Sequence, residues 1–275
     1  MKILVTGATG WVGRNLVELL LTGGAEVRAL TRRPESAELP AAVEIVGGDL
    51  EKPESLSGVF DGIDRLYLIL AGETTAPVID AAKQAGVRRV VTHSASSAGF
   101  GNDPGGEYHR AFESVVENSG LAWTHVRPGM FANNLLSWAD PIKRTGIVRL
   151  PYDNARQAPV DELDVAAVAA AALLDDSHGG KAYTLSGPAA LTKTEQFAVI
   201  GEAIGKDVRF EEITPEQWRA EGSEQFPGHL MDWLLAYWER TLADPEPVLH
   251  DIEQVLGQPA RPLSEWAGLH SDDFC

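Results

Sequence analysis

Residues 3–13 read Ile-Leu-Val-Thr-Gly-Ala-Thr-Gly-Trp-Val-Gly, and this stretch decides the fold. A short apolar run, typical of a buried strand, stops at Gly7, and glycines recur at Gly10 and Gly13. Residues 15–21 then begin with the apolar spacing of a helix. The pattern predicts a strand that enters a helix through a turn with no room for side chains.

Each glycine of this turn has its own expected role. Gly7 permits the sharp turn, Gly10 lets backbone N–H groups approach a pyrophosphate, and Gly13 lets the helix pack closely on the strand. The helix N-terminus and its dipole then bind the diphosphate. The predicted phosphate-binding residues are Gly7, Thr9, Gly10, Trp11, Val12 and Gly13. The alternative is a tight turn that binds no ligand.

Length and composition fit a globular protein of one or two domains, with 275 residues and 44% hydrophobic content. No apolar run approaches the ~20 residues of a membrane span, and the chain starts on a core strand, so we expect neither a membrane segment nor a signal peptide. The single cysteine, Cys275, excludes an intrachain disulfide and a cysteine-based metal site. We expect a cytoplasmic protein without a metal.

The net charge of −17 is unevenly distributed. Residues 1–150 hold 15 Lys and Arg against 17 Asp and Glu, whereas residues 151–275 hold 8 against 23. The acidic second half argues against binding to nucleic acid or to an anionic membrane surface, since both require a basic face. We favour a solubilising surface over an acidic docking patch. The near-neutral first half tolerates an anionic cofactor.

Strand and helix patterns alternate as far as about residue 135. This alternation predicts an α/β fold, a doubly wound parallel sheet covered by helices on both faces (Rossmann). The predicted strands are residues 2–6, 26–31, 43–47, 65–70, 87–92 and 122–127. The helices between them are expected up to about residue 22 and at residues 53–60, 76–85 and 107–119.

The alternation breaks after Pro128. We predict a dinucleotide-binding Rossmann domain at residues 1–150 and a mixed region at residues 151–275. That region is expected to return one helix and one strand to the sheet at about residues 160–187, and otherwise to form a small α+β substrate lobe over the C-terminal edge of the sheet. The last ~35 residues are interrupted by prolines and are expected to be mostly irregular.

The end of the second strand distinguishes the nicotinamide cofactors, because an acidic residue there binds a ribose 2′-hydroxyl and an arginine accommodates a 2′-phosphate. Here the strand ends in Arg32 and Arg33, which favours NADP(H) over NAD(H). Asp49 and Leu50 follow the third strand, where a carboxylate can accept from the adenine amino group. The other predicted cofactor contacts are Ala71, Gly72 and Ser94. The alternatives are surface arginines and an ordinary turn aspartate.

Six segments follow one another along the chain: Thr6-Gly-Ala-Thr-Gly-Trp-Val-Gly13, Arg32-Arg33, Gly48-Asp-Leu50, His93-Ser-Ala-Ser96, Glu107-Tyr-His-Arg-Ala-Phe-Glu113 and Arg127-Pro-Gly-Met-Phe-Ala-Asn-Asn134. Together they resemble the atypical short-chain dehydrogenase/reductase families, and most closely the NmrA-like NAD(P)-binding proteins. That group includes quinone reductases, proteins called azoreductases, isoflavone-reductase-like enzymes and cofactor-sensing regulators. The resemblance covers residues 1 to about 205 well and the remainder loosely.

The resemblance also implies catalytic residues. Typical short-chain reductases place a serine after the fifth strand and Tyr-x-x-x-Lys on the next helix, where the lysine lowers the tyrosine pKa. Here Ser96 fits the serine, Tyr108 fits the tyrosine, and Phe112 replaces the lysine. Because an apolar neighbour does not stabilise a tyrosinate, we expect Tyr108 to donate a hydrogen bond or a proton rather than to act as a base.

His109 is the second candidate proton donor, because imidazole titrates near neutral pH. It shares a helix face with Glu113, and a pair between them would orient the ring. The alternative is a pair that only pins this helix to the sheet or the cofactor. His93 is expected to pack in the sheet. Ser94 and Ser96 are expected to contact the nicotinamide ribose rather than to relay a proton.

The second half of the chain is rich in aromatic residues. Aromatic surface beside a nicotinamide suits a flat, apolar or polycyclic substrate. The predicted substrate pocket consists of Met130, Phe131, Asn134 and Trp233. Asn133 and Asn134 could orient a carbonyl of the substrate. The alternative is that the aromatic side chains form the core of the lobe or a dimer face, and that the two asparagines cap the following helix.

The leading hypothesis is an NADPH-dependent reductase that transfers hydride to a small aromatic, quinone-like or polycyclic carbonyl compound. The alternative is an NADP(H)-binding redox sensor without turnover, with which the missing lysine is also compatible. A third hypothesis is a non-redox epimerase or cyclase on the same scaffold. We expect a monomer or a homodimer.

Overall fold

The computed structural model describes residues 1–69, 71–100, 104–222 and 226–275. The chain forms two compact units. Unit 1 comprises Met1–Gly129, Glu162–Leu185 and His250–Pro259, and unit 2 comprises Met130–Asp161, Ser186–Leu249 and Ala260–Cys275. The division into domains at residues 1–150 and 151–275 stays a prediction.

The described strands are β1 (Lys2–Thr6), β2 (Glu26–Thr31), β3 (Glu44–Gly47), β4 (Arg65–Ile69), β5 (Arg89–His93), β6 (Ala122–Pro128), β7 (Ile147–Leu150), β8 (Lys181–Leu185) and β9 (Arg209–Glu212). The α-helices are α1 (Trp11–Thr22), α2 (Thr75–Gln84), α3 (Ser97–Phe100), α4 (Pro104–Glu117), α5 (Ala139–Thr145), α6 (Glu162–Leu174), α7 (Lys193–Ile204), α8 (Pro215–Gly222), α9 (Gly228–Ala243), α10 (Asp251–Leu256) and α11 (Leu263–Leu269). Short 3-10 helices occur at Pro34–Ser36, Pro53–Leu56, Gly72–Thr74, Ala132–Trp138, Asp176–His178 and Ser271–Phe274.

In the described part of unit 1, seven strands form one sheet in the order β3-β2-β1-β4-β5-β6-β8. Every neighbouring pair is parallel. From the central strand β1, the chain adds β2 and then β3 toward one edge of the sheet. It then returns to the other side of β1, where β4, β5, β6 and β8 extend the sheet to the opposite edge. The direction of winding therefore reverses between β1 and β4, and sheets of this type bind nucleotides beyond the carboxyl ends of the strands at such a point. The predicted doubly wound parallel sheet is confirmed.

Apolar strands and helix faces form the core of unit 1. The residues Ile3, Leu4 and Val5 of β1 are fully buried, as expected for a central parallel strand. α1 packs against the alanine-rich α6, and α2 packs against α4. Phe112 of α4 lies in the apolar cluster with Leu68 of β4, so the position that holds a lysine in typical short-chain reductases points into this core.

Unit 2 contains the two-stranded parallel sheet β7–β9 and a core rich in aromatic rings. Buried there are Trp138, Phe197, Trp218, Trp238 and Trp266. The ring centroids of Trp218 and Trp238 are 5.1 Å apart in an edge-to-face arrangement. These tryptophans therefore form part of the hydrophobic core of unit 2. None of the described helices combines the length and the apolar content that crossing a bilayer requires.

The last 35 or so residues are more regular than the sequence predicts. They include α10, α11 and the final 3-10 helix. Asp251 of α10 accepts a hydrogen bond from the backbone N–H of Thr184 at 2.6 Å, which fastens this helix to β8. Trp266 and Phe274 are buried in unit 2. The expectation of irregular structure is wrong because the prolines lie outside the helices, as Pro262 does immediately before α11.

Candidate functional site

The turn between β1 and α1 has the geometry that its glycines predict. Gly7 has a φ of +64°, a conformation that favours glycine. The N–H of Gly10 donates to the carbonyl of Gly7 at 3.0 Å and closes the turn. A Cβ on Gly13 would lie 2.1 Å from the oxygen of Gly7 and 2.8 Å from the Cα of Ala8. The helix therefore packs against the turn as closely as backbone atoms allow.

The N-terminus of α1 is open to a ligand. Gly10 is the N-cap, so no side chain caps the helix, and its first turn contains no acidic residue. The first N–H groups of an α-helix lack acceptors within the helix and lie at the positive end of its dipole. Gly10 and Trp11 are exposed, and Thr9 and Val12 are half-buried. This is the arrangement that binds a diphosphate in related folds.

Arg32 and Arg33 follow β2 and are exposed. Their guanidinium groups form no ion pair with any residue that the structure describes. Asp49, after β3, accepts the N–H of Glu51 at 3.1 Å through Oδ1, so one oxygen serves a local turn. The carbonyl of Leu50 accepts the Thr74 hydroxyl at 2.6 Å, which joins the loops after β3 and β4.

The sequence analysis missed Arg14. Its Nε donates to the carbonyl of Thr9 at 3.0 Å and its Nη1 to that of Glu38 at 2.6 Å, so it connects the glycine turn to the loop that follows β2. A cation in the first turn of a helix is opposed by the helix dipole. An arginine at this position in the sequence could therefore have indicated a nearby anionic ligand, because the negative charge of such a ligand offsets the repulsion.

The loop after β4 approaches the predicted catalytic helix. Ala71 is buried, and Gly72 has a φ of +58°. A Cβ on Gly72 would lie 3.2 Å from the hydroxyl of Tyr108, so the absence of a side chain at Gly72 makes room for that hydroxyl. Tyr108 itself is 51% exposed. The phenol therefore lies beside the carboxyl end of β4, at the edge of the sheet that carries the glycine turn.

The end of β5 holds the predicted histidine and serines. A 2.6 Å hydrogen bond joins Nδ1 of His93 to the hydroxyl of Tyr67 on the neighbouring strand β4. His93 therefore packs in the sheet, as expected. Burial, with a smaller contribution from the charge of His109, lowers the pKa of His93 to about 4. Ser94 is buried, and its N–H donates to Val126 at 2.8 Å. The N–H of Ser96 donates to the carbonyl of Pro128 at 2.9 Å, which fixes this loop to β6.

Helix α4 is held to β6 by a buried ion pair that the sequence analysis did not predict. The fully buried carboxylate of Glu113 accepts from Nε and Nη2 of Arg127 at 2.7 and 2.6 Å, and Arg110 also donates to it. Burial alone raises the pKa of Glu113, but the hydrogen bonds from Arg127 hold that pKa below its usual range. Glu113 is thus held by Arg127 and Arg110, and the expected pair between His109, which is half-buried, and Glu113 stays a prediction.

Glu113, Glu117 and His125 bring three potential metal ligands within 4.8 Å of one another. Arg127 and Arg110, however, already supply positive charge to the same carboxylates. The ring of His125 is 3.3 Å from Glu117, and burial lowers its pKa. The cluster is therefore charge-balanced as an ion-pair network, and we assign no metal to it.

The predicted substrate residues all lie in unit 2. Met130 and Phe131 are half-buried, and Met130 accepts the N–H of Val160 at 2.8 Å. Asn134 is exposed, whereas the amide atoms of Asn133 are buried and have no hydrogen-bond partner among the described residues. The place of Asn134 in the substrate pocket stays a prediction. Trp233 is 58% exposed.

Unit 2 also buries titratable groups that the sequence analysis did not single out. Glu246 accepts the Tyr237 hydroxyl and, at 2.8 Å, the N–H of Ala158, and burial raises its pKa. Lys193 donates to the carbonyl of Tyr152 at 2.8 Å and lies 4.6 Å above the ring of Trp238. Burial lowers the pKa of Lys193 to about 7. No sequence pattern signals such burial, since it depends on the packing of distant elements.

Comparison with known proteins agrees with this geometry. A family model described as NAD(P)H-binding matches residues 7–176. A (4-alkanoyl-5-oxo-2,5-dihydrofuran-3-yl)methyl phosphate reductase of Streptomyces griseus is 38% identical over 99% of both chains. An NAD(P)H azoreductase of Xenophilus azovorans is 34% identical over 99% of both. The crystal structure of an Escherichia coli NADPH-dependent quinone oxidoreductase with NADPH has a TM-score of 0.82 at 25% identity, and covers 97% of this chain and 99% of that one.

These matches confirm the resemblance seen in the sequence motifs and, with them, a nicotinamide dinucleotide as the cofactor class. On the family match and on two relatives above 30% identity along their whole length, the chain belongs to the NAD(P)H-binding family.

Proposed function

We propose that this protein is an NADPH-dependent reductase of a small, conjugated, electron-poor compound. The turn from Gly7 to Gly13 carries the proposal, because it combines an uncapped helix N-terminus with a backbone that leaves no room for a Cβ at Gly13. Backbone groups of Thr9, Gly10, Trp11 and Val12 would hold the diphosphate. Around the rest of the dinucleotide we place Asp49, Leu50, Ala71, Gly72 and Ser94.

We infer NADP(H) rather than NAD(H) from the arginines after β2. Arg32 and Arg33 are exposed and carry positive charge that no described acidic side chain neutralises. A 2′-phosphate supplies that counter-charge, whereas a 2′-hydroxyl does not. Arg14 adds a third cation beside the glycine turn. The quinone oxidoreductase of similar structure was solved with NADPH.

The reduction needs a proton as well as a hydride. The nicotinamide supplies the hydride when it is bound, and the protein supplies position and a proton donor. We assign the donor role to Tyr108, because its hydroxyl lies beside Gly72 at the nucleotide edge and its neighbour Phe112 is apolar. His109, one residue on, is the second candidate. Ser96 and Ser94 would contact the nicotinamide ribose.

The proposed substrate is flat. The indole of Trp233 stacks on the ring of Tyr237, with centroids 5.3 Å apart and planes 3° apart, and it is more than half exposed. Such a surface suits an aromatic or quinone-like compound. Met130, Phe131 and Asn134 complete the proposed pocket. The compounds in the names of the relatives, an alkanoyl-furanone, azo compounds and quinones, share a conjugated, electron-poor double bond.

Cofactor choice is tested with the Arg32→Gln/Arg33→Gln double variant. Loss of two charge-assisted contacts is expected to weaken NADPH binding about 10- to 100-fold and to leave NADH binding within about twofold. The affinities for NADPH and for NADH are both measured by the quenching of tryptophan fluorescence on titration. The matched control is Arg149→Gln, which removes an exposed arginine from unit 2 and leaves both affinities unchanged. Equal losses for the two cofactors would contradict a 2′-phosphate site.

Turnover is tested by following NADPH oxidation with a quinone, an azo dye and an unsaturated lactone. Tyr108→Phe is expected to lower kcat about 100-fold with little change in KM for NADPH, because only the proton donor is removed. His109→Gln is the paired variant and is expected to retain most of the activity. If the two effects are reversed, the donor is His109.

A redox sensor is the second candidate function. The buried, apolar Phe112 favours it, because the chain lacks the lysine on which typical short-chain reductases rely. A sensor binds NADP+ and NADPH with different affinities and oxidises no NADPH across the panel. Equal affinities, or turnover with any acceptor, would exclude it.

We also propose a reducing compartment such as the cytoplasm, and a monomer or a homodimer. The single cysteine at residue 275 fits a chain that needs no disulfide. Light scattering after size-exclusion chromatography gives the mass of the particle.

A further inference from the structure

Three arginines meet at the edge of the sheet where the strands begin, opposite the glycine turn. Arg65 and Arg89 are the first residues of β4 and β5 and are direct register partners. Arg88 precedes Arg89, and Ala122 is the partner of Arg89 on β6. A five-residue strand is about 16 Å long, so this edge is remote from the carboxyl ends. These residues and Asp176 line a cavity of about 470 Å³.

One carboxylate serves two of the guanidinium groups. Oδ1 of Asp176 lies 2.9 Å from Nη2 of Arg65 and 3.1 Å from Nη2 of Arg89. The side chain of Asp176 is nevertheless 78% exposed. Arg65 also donates to the carbonyl of Leu173 at 2.6 Å, so it caps the end of α6 as well. Arg88 pairs with Asp64 and is mostly exposed.

Arg89 has unused hydrogen-bonding capacity. It is 5% exposed, yet its Nη1 has no hydrogen-bond partner among the described residues. Buried donors are nearly always satisfied, by protein, water or ligand. Three guanidinium groups also face only two carboxylates, which leaves a surplus positive charge in a chain of net charge −17.

We propose that this cavity binds a phosphate group, free or as a small phosphate ester, between Arg65, Arg88 and Arg89. The planar fork of a guanidinium matches the oxygens of phosphate, and three such groups suit a dianion better than a carboxylate. Asp176 occupies the place of the ligand oxygens and moves outward when phosphate binds. The volume exceeds that of phosphate alone and leaves room for the organic part of an ester.

Asp176→Asn is the decisive variant, because it removes the competing negative charge and keeps the arginines. Titration calorimetry with inorganic phosphate, at an ionic strength held constant with sodium chloride, is expected to give at least about fivefold tighter binding than in the unmodified chain. The matched control is Asp232→Asn, which breaks an exposed pair with Arg219 in unit 2 and leaves binding unchanged.

Two further variants separate this cavity from the cofactor site. Arg88→Gln removes a mostly exposed arginine and is expected to weaken phosphate binding several-fold without lowering Tm. Arg32→Gln/Arg33→Gln is expected to leave this binding intact, whether or not those residues hold a cofactor. Glycerol 3-phosphate serves as the ester probe: tighter binding than inorganic phosphate indicates an ester, and weaker binding indicates free phosphate.

The proposal is overturned if Asp176→Asn binds inorganic phosphate no more tightly than the unmodified chain. It is also overturned if Arg88→Gln leaves the binding intact while Arg32→Gln/Arg33→Gln abolishes it.

Discussion

The glycine turn and helix α4 both belong to the proposed site, but the two regions are specified over different distances along the chain. In the turn, Gly13 packs against Gly7, six residues earlier. In α4, Glu113 is held by Arg127 on β6, fourteen residues later, with the last turn of α4 and a loop between them. The first arrangement follows from local steric limits, and the second follows from an ion pair between separate elements. Local limits can be read from a sequence, whereas a long-range pair appears only once the chain is folded.

The largest expected effect tests the turn. Gly13→Ala places a Cβ 2.1 Å from the oxygen of Gly7, so the backbone must move, and we expect a loss of about 4 kcal/mol or more in the free energy of unfolding. Gly10→Ala is the matched control, because its Cβ meets only Gly7 and at 3.3 Å. It should cost less than about 1 kcal/mol. Urea denaturation followed by tryptophan fluorescence measures both, and similar losses would contradict the local account.

The next effect tests the long-range pair. Glu113→Gln leaves Arg127 buried without its counter-charge, and we expect a loss of about 3 kcal/mol. Asp232→Asn breaks an exposed pair and should cost less than about 1 kcal/mol. If both variants lose the same amount, the buried pair does not stabilise the position of α4.

The pair also predicts a pH dependence. Because the pKa of Glu113 is lower in the folded chain than in the unfolded one, its contribution is fully present above the unfolded value of about 4.3. It is lost as the pH falls through the folded value. Glu113→Gln should therefore differ from the unmodified chain most at neutral pH and least in acid.

His93 provides a third test of long-range burial, in which the loss of stability appears only in acid. Its pKa of about 4 lies below the unfolded value near 6.5, so stability is fully present above pH ~6.5 and is lost as the pH falls toward 4. We expect this residue to account for roughly 3 kcal/mol of that loss, because one unit of pKa shift corresponds to about 1.4 kcal/mol. In His93→Gln the decline between these pH values should be shallower. A decline remains, because burial also lowers the pKa values of His125 and His178. An unchanged slope would contradict the assignment.

The sequence was sufficient where one element or one turn determines the structure. The three-residue glycine spacing predicted the turn, and the alternation of patterns predicted the parallel sheet, because both depend on neighbours along the chain. The substitution at Phe112 was visible as well. The sequence did not show where this side chain lies, because only the fold reveals that Phe112 belongs to the apolar core.

The sequence was insufficient where partners come from distant segments. The sequence suggested His109, four residues away, as a partner of Glu113 and gave no sign of Arg127, the charged donor that binds this carboxylate in the fold. The sequence offered both Asn133 and Asn134 but could not show that only the amide of Asn133 is buried. The irregular end predicted for the chain failed for the same reason, because the distant core of unit 2 buries Trp266.

The smallest expected effect on stability concerns the contact between the loop after β4 and α4. Gly72→Ala introduces a side chain at a φ of +58° and 3.2 Å from the Tyr108 hydroxyl. The backbone strain should cost about 1 kcal/mol. Gly62→Ala is the matched control, because Gly62 has a φ of +72° and open space around its Cβ position. Gly62→Ala should lower the free energy of unfolding by a similar amount, measured by urea denaturation, but should leave the rate of NADPH oxidation unchanged.

Turnover then shows whether Gly72 acts through Tyr108. If it does, Gly72→Ala lowers kcat in the unmodified chain because the hydroxyl is displaced. In the Tyr108→Phe background the oxygen is absent, so the same change should add little, and the two losses should not be additive. Additive losses would mean that Gly72 serves the cofactor directly through its backbone. In that case the contact between the loop after β4 and α4 would be steric only, and the loss in Tyr108→Phe would have to arise independently of Gly72.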